Sequence, residues 1–269
     1  MRIWHQSFTV IEHLPAYTER MRAHIAKVTR PDTEVVLHGV MPGTYPSEYP
    51  GDDLAYTALF AMHGQQWIAR ALEAEQAGFD AYAMCTLPNP MLREVRTVVD
   101  IPVVGYGEAC FHLASMLGHR FGMMIFIERM VPLYREQMVQ YGLSSRCATI
   151  RGADFTFHDV VKGFTDPAPM IDRFRENARR LIAEGADVII PGEMPLNLLL
   201  ATEGVNKVDG VPILDGLAVT LSLAECLADL KRTTGLSASR HGWFGEAPKR
   251  ERVAQVMKFY GLDRLGGGA

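Results

Sequence analysis

Two stretches of the sequence resemble each other and together decide the fold: Gly78-Phe79-Asp80-Ala81-Tyr82-Ala83-Met84-Cys85 and Gly185-Ala186-Asp187-Val188-Ile189-Ile190-Pro191-Gly192-Glu193. In each, glycine and aspartate mark the end of a helix, and an apolar run of the length of a buried strand follows. The likeness continues downstream, where residues 100–105 correspond to 210–215, and proline and asparagine follow the strand in both copies. Such an internal repeat predicts two similar lobes.

Around these stretches, short apolar runs alternate with longer segments of helical period, which is typical of strand–helix units in a mostly parallel sheet. We predict strands over residues 2–5, 34–38, 81–84, 103–105, 122–126, 148–151, 188–190 and 213–214. We predict helices over residues 15–28, 53–77, 91–98, 108–117, 130–141, 169–184, 196–201, 218–231 and 248–260. Strands and helices thus follow one another in turn along the chain.

These units predict an α/β protein with two pseudosymmetric lobes, each a mostly parallel sheet flanked by helices. A single (β/α)₈ barrel also fits the length of 269 residues and the number of units. The repeat favours two lobes over the barrel. Because ligands of open α/β sheets bind outside the carboxyl ends of the strands, we expect the site in the cleft between the lobes.

Composition and charge exclude several classes of protein and partner. Hydrophobic residues make up 48% of the chain and charged residues 22%, as in ordinary soluble globular proteins. The net charge of −4 with interspersed signs argues against nucleic acid as a partner. No run of about 18 apolar residues and no signal-peptide pattern occurs, so we expect no membrane partner and a cytoplasmic location. Four widely spaced cysteines without a CxxC pair predict reduced thiols.

Cys85 is the first candidate catalytic residue. It follows a buried strand, and Pro88 or Pro90 suits the first turn of a helix that begins just after it. The unpaired amides of a helix N-terminus stabilise an anion, so we expect the pKa of the Cys85 thiol to be lowered. The alternative is that Cys85 is a small buried hydrophobic residue, as most free cysteines are.

Glu193 is the second candidate, because it ends the equivalent strand of the second copy. Glutamate is rarely buried without a partner, and a partly desolvated carboxyl has a raised pKa that suits a general acid or base near neutral pH. The alternative is a carboxylate that caps the next helix and faces solvent. The equivalent placement of Cys85 and Glu193 favours catalysis.

Further polar residues at strand ends suit the binding of a small carboxylate or cyclic amide. The residues that we predict to bind substrate are Gln6, Ser7, Thr86, Gly107, Gly192 and Met194. Gly105-Tyr106-Gly107-Glu108 lacks the third glycine of the dinucleotide fingerprint, since Cys110 stands there, so it indicates no nucleotide. The histidines are scattered, and we predict no metal site.

The residues from Gly235 onward have the pattern of an appendage, with loop composition before the predicted helix over 248–260. Trp243 and Phe244 are expected to pack either on a neighbouring subunit or on the chain's own lobe. The terminal Gly266-Gly267-Gly268 run is expected to fray.

Several of these segments, taken together, resemble the aspartate/glutamate/hydantoin racemase superfamily, and more closely its hydantoin-racemase-like branch. The likeness covers about residues 1–232. The matching segments are 78–85, Pro102-Val103-Val104-Gly105-Tyr106-Gly107-Glu108-Ala109 with the helix 112–118, Arg129-Met130-Val131-Pro132-Leu133-Tyr134, 185–192, and Val211-Pro212-Ile213-Leu214-Asp215-Gly216-Leu217-Ala218.

The resemblance implies a cofactor-free site between two lobes, in which two cysteines, one from each lobe, face opposite sides of the chiral carbon of the substrate. Cys85 matches the first cysteine, whereas Glu193 stands at the second. Arylmalonate decarboxylase, in the same superfamily, keeps only the second-lobe cysteine, so this chain is similar to the converse arrangement. The resemblance also implies a first lobe of residues 1–105 with 215–232, a second lobe of 106–214, a C-terminal extension of 233–269, and a homo-oligomer.

The predicted function is therefore a cofactor-independent isomerase or racemase of a small carboxylate or cyclic amide, with Cys85 and Glu193 transferring protons at an acidic carbon. A lyase, decarboxylase or hydrolase is an alternative, with Cys85 as nucleophile and Glu193 as general acid or base. A second alternative is a non-catalytic protein that binds a small molecule in the cleft.

Overall fold

The computed structural model describes residues 1–266, and its parallel strands form two separate sheets. The first sheet has the order β2-β1-β3-β4, with β1 Arg2–Gln6, β2 Glu34–His38, β3 Ala81–Met84 and β4 Val103–Gly105. The second has the order β6-β5-β7, with β5 Phe121–Ile125, β6 Cys147–Gly152 and β7 Val188–Pro191. All pairings within the two sheets are parallel.

The same topology occurs twice. Ile213 forms a parallel bridge with Ile189 of β7, so residue 213 lies beside β7 as β4 lies beside β3. The predicted strand over 213–214 is thus a single bridge, extended by a hydrogen bond from the Leu214 amide to Ile189 O (2.8 Å). The prediction of two similar α/β lobes is confirmed. The alternative of one closed barrel is wrong, because the strands described in residues 1–266 pair within two open sheets.

Helices surround both sheets. They are α1 Pro15–Val28, α2 Gly51–Leu54, α3 Thr57–Gln76, α4 Leu92–Val98, α5 Tyr106–Leu117, α6 Val131–Gln140, α7 Phe157–Gly163, α8 Pro167–Ala183, α9 Met194–Thr202, α10 Gly216–Thr234 and α11 Arg250–Tyr260. A short antiparallel pair, β8 Lys207–Val208 and β9 Val211–Pro212, precedes α10. Among residues 1–266, no helix combines the length and the apolar character needed to cross a membrane.

Two helix predictions differ from the structure. The predicted helix over 53–77 is divided into α2 and α3, because the backbone of Tyr56 is extended (φ −115°, ψ 122°). Helix α7 was not predicted, although Thr156 and Asp159 form a capping box at its start, which is a local signal for a helix N-terminus. The segment over 157–163 is too short for its apolar period to stand out from the surrounding loop.

The central strands are buried on both faces. All residues of β3, β5 and β7 are buried, as expected of parallel strands that helices cover on each side.

The four cysteines are free thiols, as predicted. Of the terminal glycine run, Gly267 and Gly268 lie outside the described residues, so the predicted fraying there stays a prediction.

The repeated asparagines have the same structural role in both halves. Asn89 Oδ1 accepts a hydrogen bond from the amide of Gly107 in the first turn of α5 (3.0 Å). Asn197 Oδ1 accepts one from the amide of Gly216 in the first turn of α10 (2.8 Å). Both side chains are buried, at 6% and 1% exposure. Each asparagine therefore connects the segment that follows one strand to the helix that follows the next: Asn89 lies in the loop after β3, and Asn197 lies in α9 after β7.

We expect Asn197→Ala to lower the free energy of unfolding by about 2 kcal/mol, because it leaves the buried Gly216 amide without its acceptor and removes the donor (3.1 Å) to Asp215 Oδ1. Urea denaturation followed by circular dichroism measures the change. Asn206→Ala, at an exposed asparagine, is the control and should stay within about 0.5 kcal/mol of the parent. Equal stability of the two variants would contradict this role of Asn197.

Candidate active site

A small cavity lies where the carboxyl ends of strands from both sheets meet. Its volume is about 60 Å³, room for roughly four to six water molecules. Residues that follow β1, β2 and β3 line one side, and residues that follow β5 and β7 line the other. The polar and ionisable residues of the lining are Ser7, Thr9, Tyr49, Cys85, Thr86, Tyr134 and Glu193.

Cys85 and Glu193 thus line the same cavity from the two different sheets. Cys85 directly follows β3, and its amide donates to Gln6 O at the end of β1 (2.8 Å). Its side chain is fully buried, and this burial raises the pKa of the Cys85 thiol far above its ordinary value. The sequence-based expectation of a lowered pKa is therefore wrong: Cys85 is a neutral thiol in this structure.

The helix that was expected to begin beside Cys85 begins further along the chain. Helix α4 begins at Leu92, not at Pro88 or Pro90, so no helix starts directly beside the thiol in the sequence. Asn89 and Met91 both have left-handed backbones, with φ of 48° and 53°, and such a backbone interrupts a helix. The loop is an irregular turn instead of the first turn of a helix, and its prolines do not open one.

Glu193 is held by the backbone of the second sheet. Its Oε1 accepts the amides of Phe126 (2.9 Å) and Ile127 (3.0 Å), which directly follow β5. The residue precedes α9, but its carboxyl group does not cap that helix. The alternative of a capping carboxylate in solvent is therefore wrong. Because Oε1 accepts both amides, a proton on this carboxyl group belongs on Oε2.

Burial raises the pKa of Glu193 to about 7, and the two amide hydrogen bonds oppose that rise.

The backbone of Glu193 is also unusual, with φ 69° and ψ 134°, a region that non-glycine residues rarely adopt. Gly192 before it has no side chain, and a Cβ there would approach Met124 O to 2.0 Å. The close packing of β7 on β5 at this point fixes where Glu193 enters the cavity.

Two tyrosines share the cavity with Glu193. Burial, with the charge of Glu193 adding to it, raises the pKa of both Tyr49 and Tyr134, so both hydroxyls keep their protons and can donate hydrogen bonds. Tyr49 stacks on Phe157, with ring centroids 5.0 Å apart and planes at 22°. Neither tyrosine was predicted from the sequence as a site residue. They come from a loop and a helix that only the tertiary fold brings to the strand ends.

The other predicted substrate-binding residues divide into two groups. Ser7, Thr86 and Met194 line the cavity, whereas Gln6, Gly107 and Gly192 do not belong to its lining.

The polar groups of the second set have partners within the protein. The Gln6 amide donates to Gly39 O (2.8 Å) and Ser7 O (3.2 Å), and the Gly107 amide donates to Asn89. The Gly192 amide donates to Met124 O (2.6 Å). These residues shape the site without facing the cavity.

The lining also has a distinct electrostatic character. It contains one carboxyl group and no lysine, arginine or histidine. An anionic ligand would lie beside Glu193 in a buried space without a compensating cation, which is unfavourable. Within residues 1–266, no group of three or more His, Cys, Asp or Glu side chains could hold a metal ion. The cavity is suited to a small neutral molecule with hydrogen-bonding groups.

The known proteins that this chain resembles in sequence are racemases. The family model described as Asp/Glu/Hydantoin racemase matches residues 15–224. The chain is 28% identical over 239 residues to a hydantoin racemase from Pseudomonas sp. (strain NS671), covering 88% of this chain and 89% of the relative. It is 26% identical over 176 residues to a hydantoin racemase from Rhizobium meliloti, covering 62% of this chain and 68% of that relative.

Solved structures show the same fold. Allantoin racemase from Klebsiella pneumoniae superposes with a TM-score of 0.75 at 23% identity, covering 93% of this chain and 94% of that one. Allantoin racemase from Pseudomonas fluorescens gives a TM-score of 0.69 at 26% identity, covering 93% and 97%. With the family model matched over most of its length, this chain belongs to the Asp/Glu/hydantoin racemase family, in the hydantoin-racemase-like branch.

Proposed function

We propose that this protein is a cofactor-independent racemase or epimerase of small neutral cyclic amides, such as five-membered hydantoin or imide rings. The observation that carries the proposal is that Cys85 and Glu193 enter one cation-free cavity from two different sheets. The relatives named as hydantoin and allantoin racemases support the same class of substrate.

The cavity favours a cyclic amide over an amino acid or another carboxylate. A five-membered ring with its carbonyl oxygens has roughly the size of the four to six water molecules that the cavity can hold. Its N–H and C=O groups are neutral and match the hydroxyls of Ser7, Thr86 and Tyr134. Ser7 Oγ already accepts the amide of Thr9 (3.1 Å), so its own proton is available to a carbonyl oxygen of the ligand.

The two ionisable groups divide the chemistry between them. In the resting enzyme near neutral pH, Glu193 is available as a carboxylate and Cys85 is a thiol, since their pKa values are shifted to about 7 and far upward, respectively. Glu193 removes the proton from the acidic carbon, and the electron pair moves onto the adjacent carbonyl oxygen. Hydroxyl donors in the lining stabilise that enolate. Cys85 then gives its proton to the opposite face of the carbon and becomes a thiolate.

The opposite enantiomer reacts by the reverse steps, in which the Cys85 thiolate removes the proton and protonated Glu193 supplies one. Two enantiomers have equal free energies, so kcat/KM must be the same in both directions. Because the two groups differ, kcat can differ between the two directions. KM must then differ by the same factor, so that kcat/KM stays equal.

We predict that in heavy water the parent enzyme racemises a 5-substituted hydantoin and places deuterium on C5, measured by polarimetry and mass spectrometry. Cys85→Ser should slow racemisation by about 10² to 10⁴-fold. This variant should still replace the C5 proton of one enantiomer by deuterium with retention of configuration. Glu193 remains able to remove the proton and to return a deuteron to the same face. Glu193→Gln should lose both activities, since the neutral Cys85 thiol cannot act as the base.

Cys226→Ser, which changes an exposed thiol, is the control and should match the parent. Racemisation by Cys85→Ser at the parent rate would contradict the role of the thiol. A ring-opened product or loss of carbon dioxide would favour the hydrolase or lyase alternative. Binding of the hydantoin without any exchange at C5 would favour the non-catalytic alternative.

We predict that kcat/KM rises about tenfold per pH unit below pH 7 and levels off above it. The free enzyme needs Glu193 as a carboxylate, whose pKa is about 7, and Cys85 as a thiol, whose raised pKa keeps it protonated at higher pH. The acidic limb should therefore report Glu193. Glu193→Cys, which restores a thiol on each side, should move that limb to higher pH. A parent profile that is flat between pH 5 and pH 7 would contradict this assignment.

A further inference from the structure

The C-terminal extension lies beyond the part of the chain that the family model matches, which ends at residue 224. It runs from Gly235 through an irregular segment into α11 and a final short turn. No residue of α11 is buried, and Trp243 is 91% exposed. Apolar burial alone therefore does not explain why the extension lies against the first sheet's helices.

Polar contacts of Arg240 anchor the extension instead. Its guanidinium donates to Arg96 O (2.6 Å), Val99 O (2.6 Å) and Asp100 Oδ1 (2.8 Å). Arg96 and Val99 lie in and just after the last turn of α4, where backbone carbonyls have no partner within the helix. Arg240 thus caps the C-terminus of α4 with a positive charge, which also suits the helix dipole there.

Helix α4 is short and is continuous with the loop that carries Cys85. It has seven residues, too few for a stable helix by itself. The Leu92 amide donates to Asn89 O (3.4 Å) and the Val95 amide donates to Met91 O (2.8 Å), so the helix and the loop share hydrogen bonds. Fraying at the end of α4 would therefore loosen residues 86–91, of which Thr86, Leu87 and Pro88 line the cavity.

The extension contacts α4 at a second point. The Arg93 guanidinium lies over the ring of Phe244, 4.7 Å from its centroid. Phe244 accordingly packs on the chain's own helix. One segment of the extension thus contacts both the side and the end of α4. Helix α11 is held by Arg250, which pairs with Glu75 and with the other carboxyl oxygen of Asp100 (3.0 Å) but bonds no α4 carbonyl.

We propose that Arg240 is a positioning residue: by capping α4 from the C-terminal extension, it holds the 86–91 loop and Cys85 in their reactive arrangement. The proposal deepens the proposed function and rests on it for its effect on turnover. In this proposal, a segment beyond residues 15–224, which the family model matches, helps to hold the active site in place.

Hydrogen exchange of the full chain, read by mass spectrometry, tests the proposal together with turnover of a hydantoin. Arg240→Ala should speed amide exchange in 92–99 on the order of tenfold, because hydrogen bonds to a charged donor are lost, and the faster exchange should extend into 86–91. Turnover should fall several-fold in kcat with KM changed less than about twofold, since substrate contacts remain. Arg240→Lys should recover part of both effects, because lysine keeps the charge but not the fork of donors.

Two further variants separate capping from general docking of the extension. Arg252→Ala removes a side chain that bonds Gln255 within α11 (3.3 Å) and should match the parent. Arg250→Ala loosens α11 without touching the α4 carbonyls and should leave exchange in 86–91 close to that of the parent.

Unchanged exchange in 86–91 for Arg240→Ala would overturn the proposal, and so would faster exchange with unchanged kcat. If the parent turned over no cyclic amide, the proposed function would fail separately. The rate of Cys85 alkylation by iodoacetamide would then decide the present proposal. A faster rate in Arg240→Ala than in Arg252→Ala would support it, and equal rates would overturn it.

Discussion

The hydrogen bonds from the amides of Phe126 and Ile127 to Glu193 are the interaction on which the site depends. They let a carboxyl group remain in a mostly buried position, and they do so with backbone donors that the fold itself fixes. Burial and these bonds act on the pKa of Glu193 in opposite directions and leave it at about 7. A carboxyl group in ordinary solvent would be ionised at that pH and would be a weak proton donor. The second sheet therefore supplies both the place and the acidity of this group.

The first sheet supplies a partner of opposite character. Cys85 is bound through its amide to the end of β1, and its buried thiol stays protonated where Glu193 is partly ionised. In a site with two equal thiols, either group could start as the base. In the proposed mechanism, this resting state makes Glu193 the base and Cys85 the acid. The cavity lining contains no lysine, arginine or histidine. A cation there would lower the pKa of both Cys85 and Glu193, so the thiol would be less firmly protonated.

Local sequence patterns predicted the repeat, the positions of the main strands in each half and the meeting of Cys85 with Glu193 in one cleft. Buried parallel strands have a strong apolar signal, and their carboxyl ends share one edge of the sheet. The loop after Cys85 was predicted wrongly as a helix start. Proline at 88 and 90 suits a first turn, but the left-handed backbones of Asn89 and Met91 depend on contacts made elsewhere in the fold. Tyr49 and Tyr134 could not be found from spacing, since a long loop and α6 bring them to the cavity from distant positions. The link between Arg240 and α4 spans 144 residues to Arg96 and has no local signal either.

The most direct measurement of the central claim is a crystal structure with a slowly reacting cyclic amide bound in the cavity. The two-face mechanism predicts Cys85 Sγ and a Glu193 carboxyl oxygen on opposite faces of the acidic carbon, each about 3 to 3.5 Å from it. Both atoms on one face of the ring, or a ligand bound away from either residue, would contradict the account.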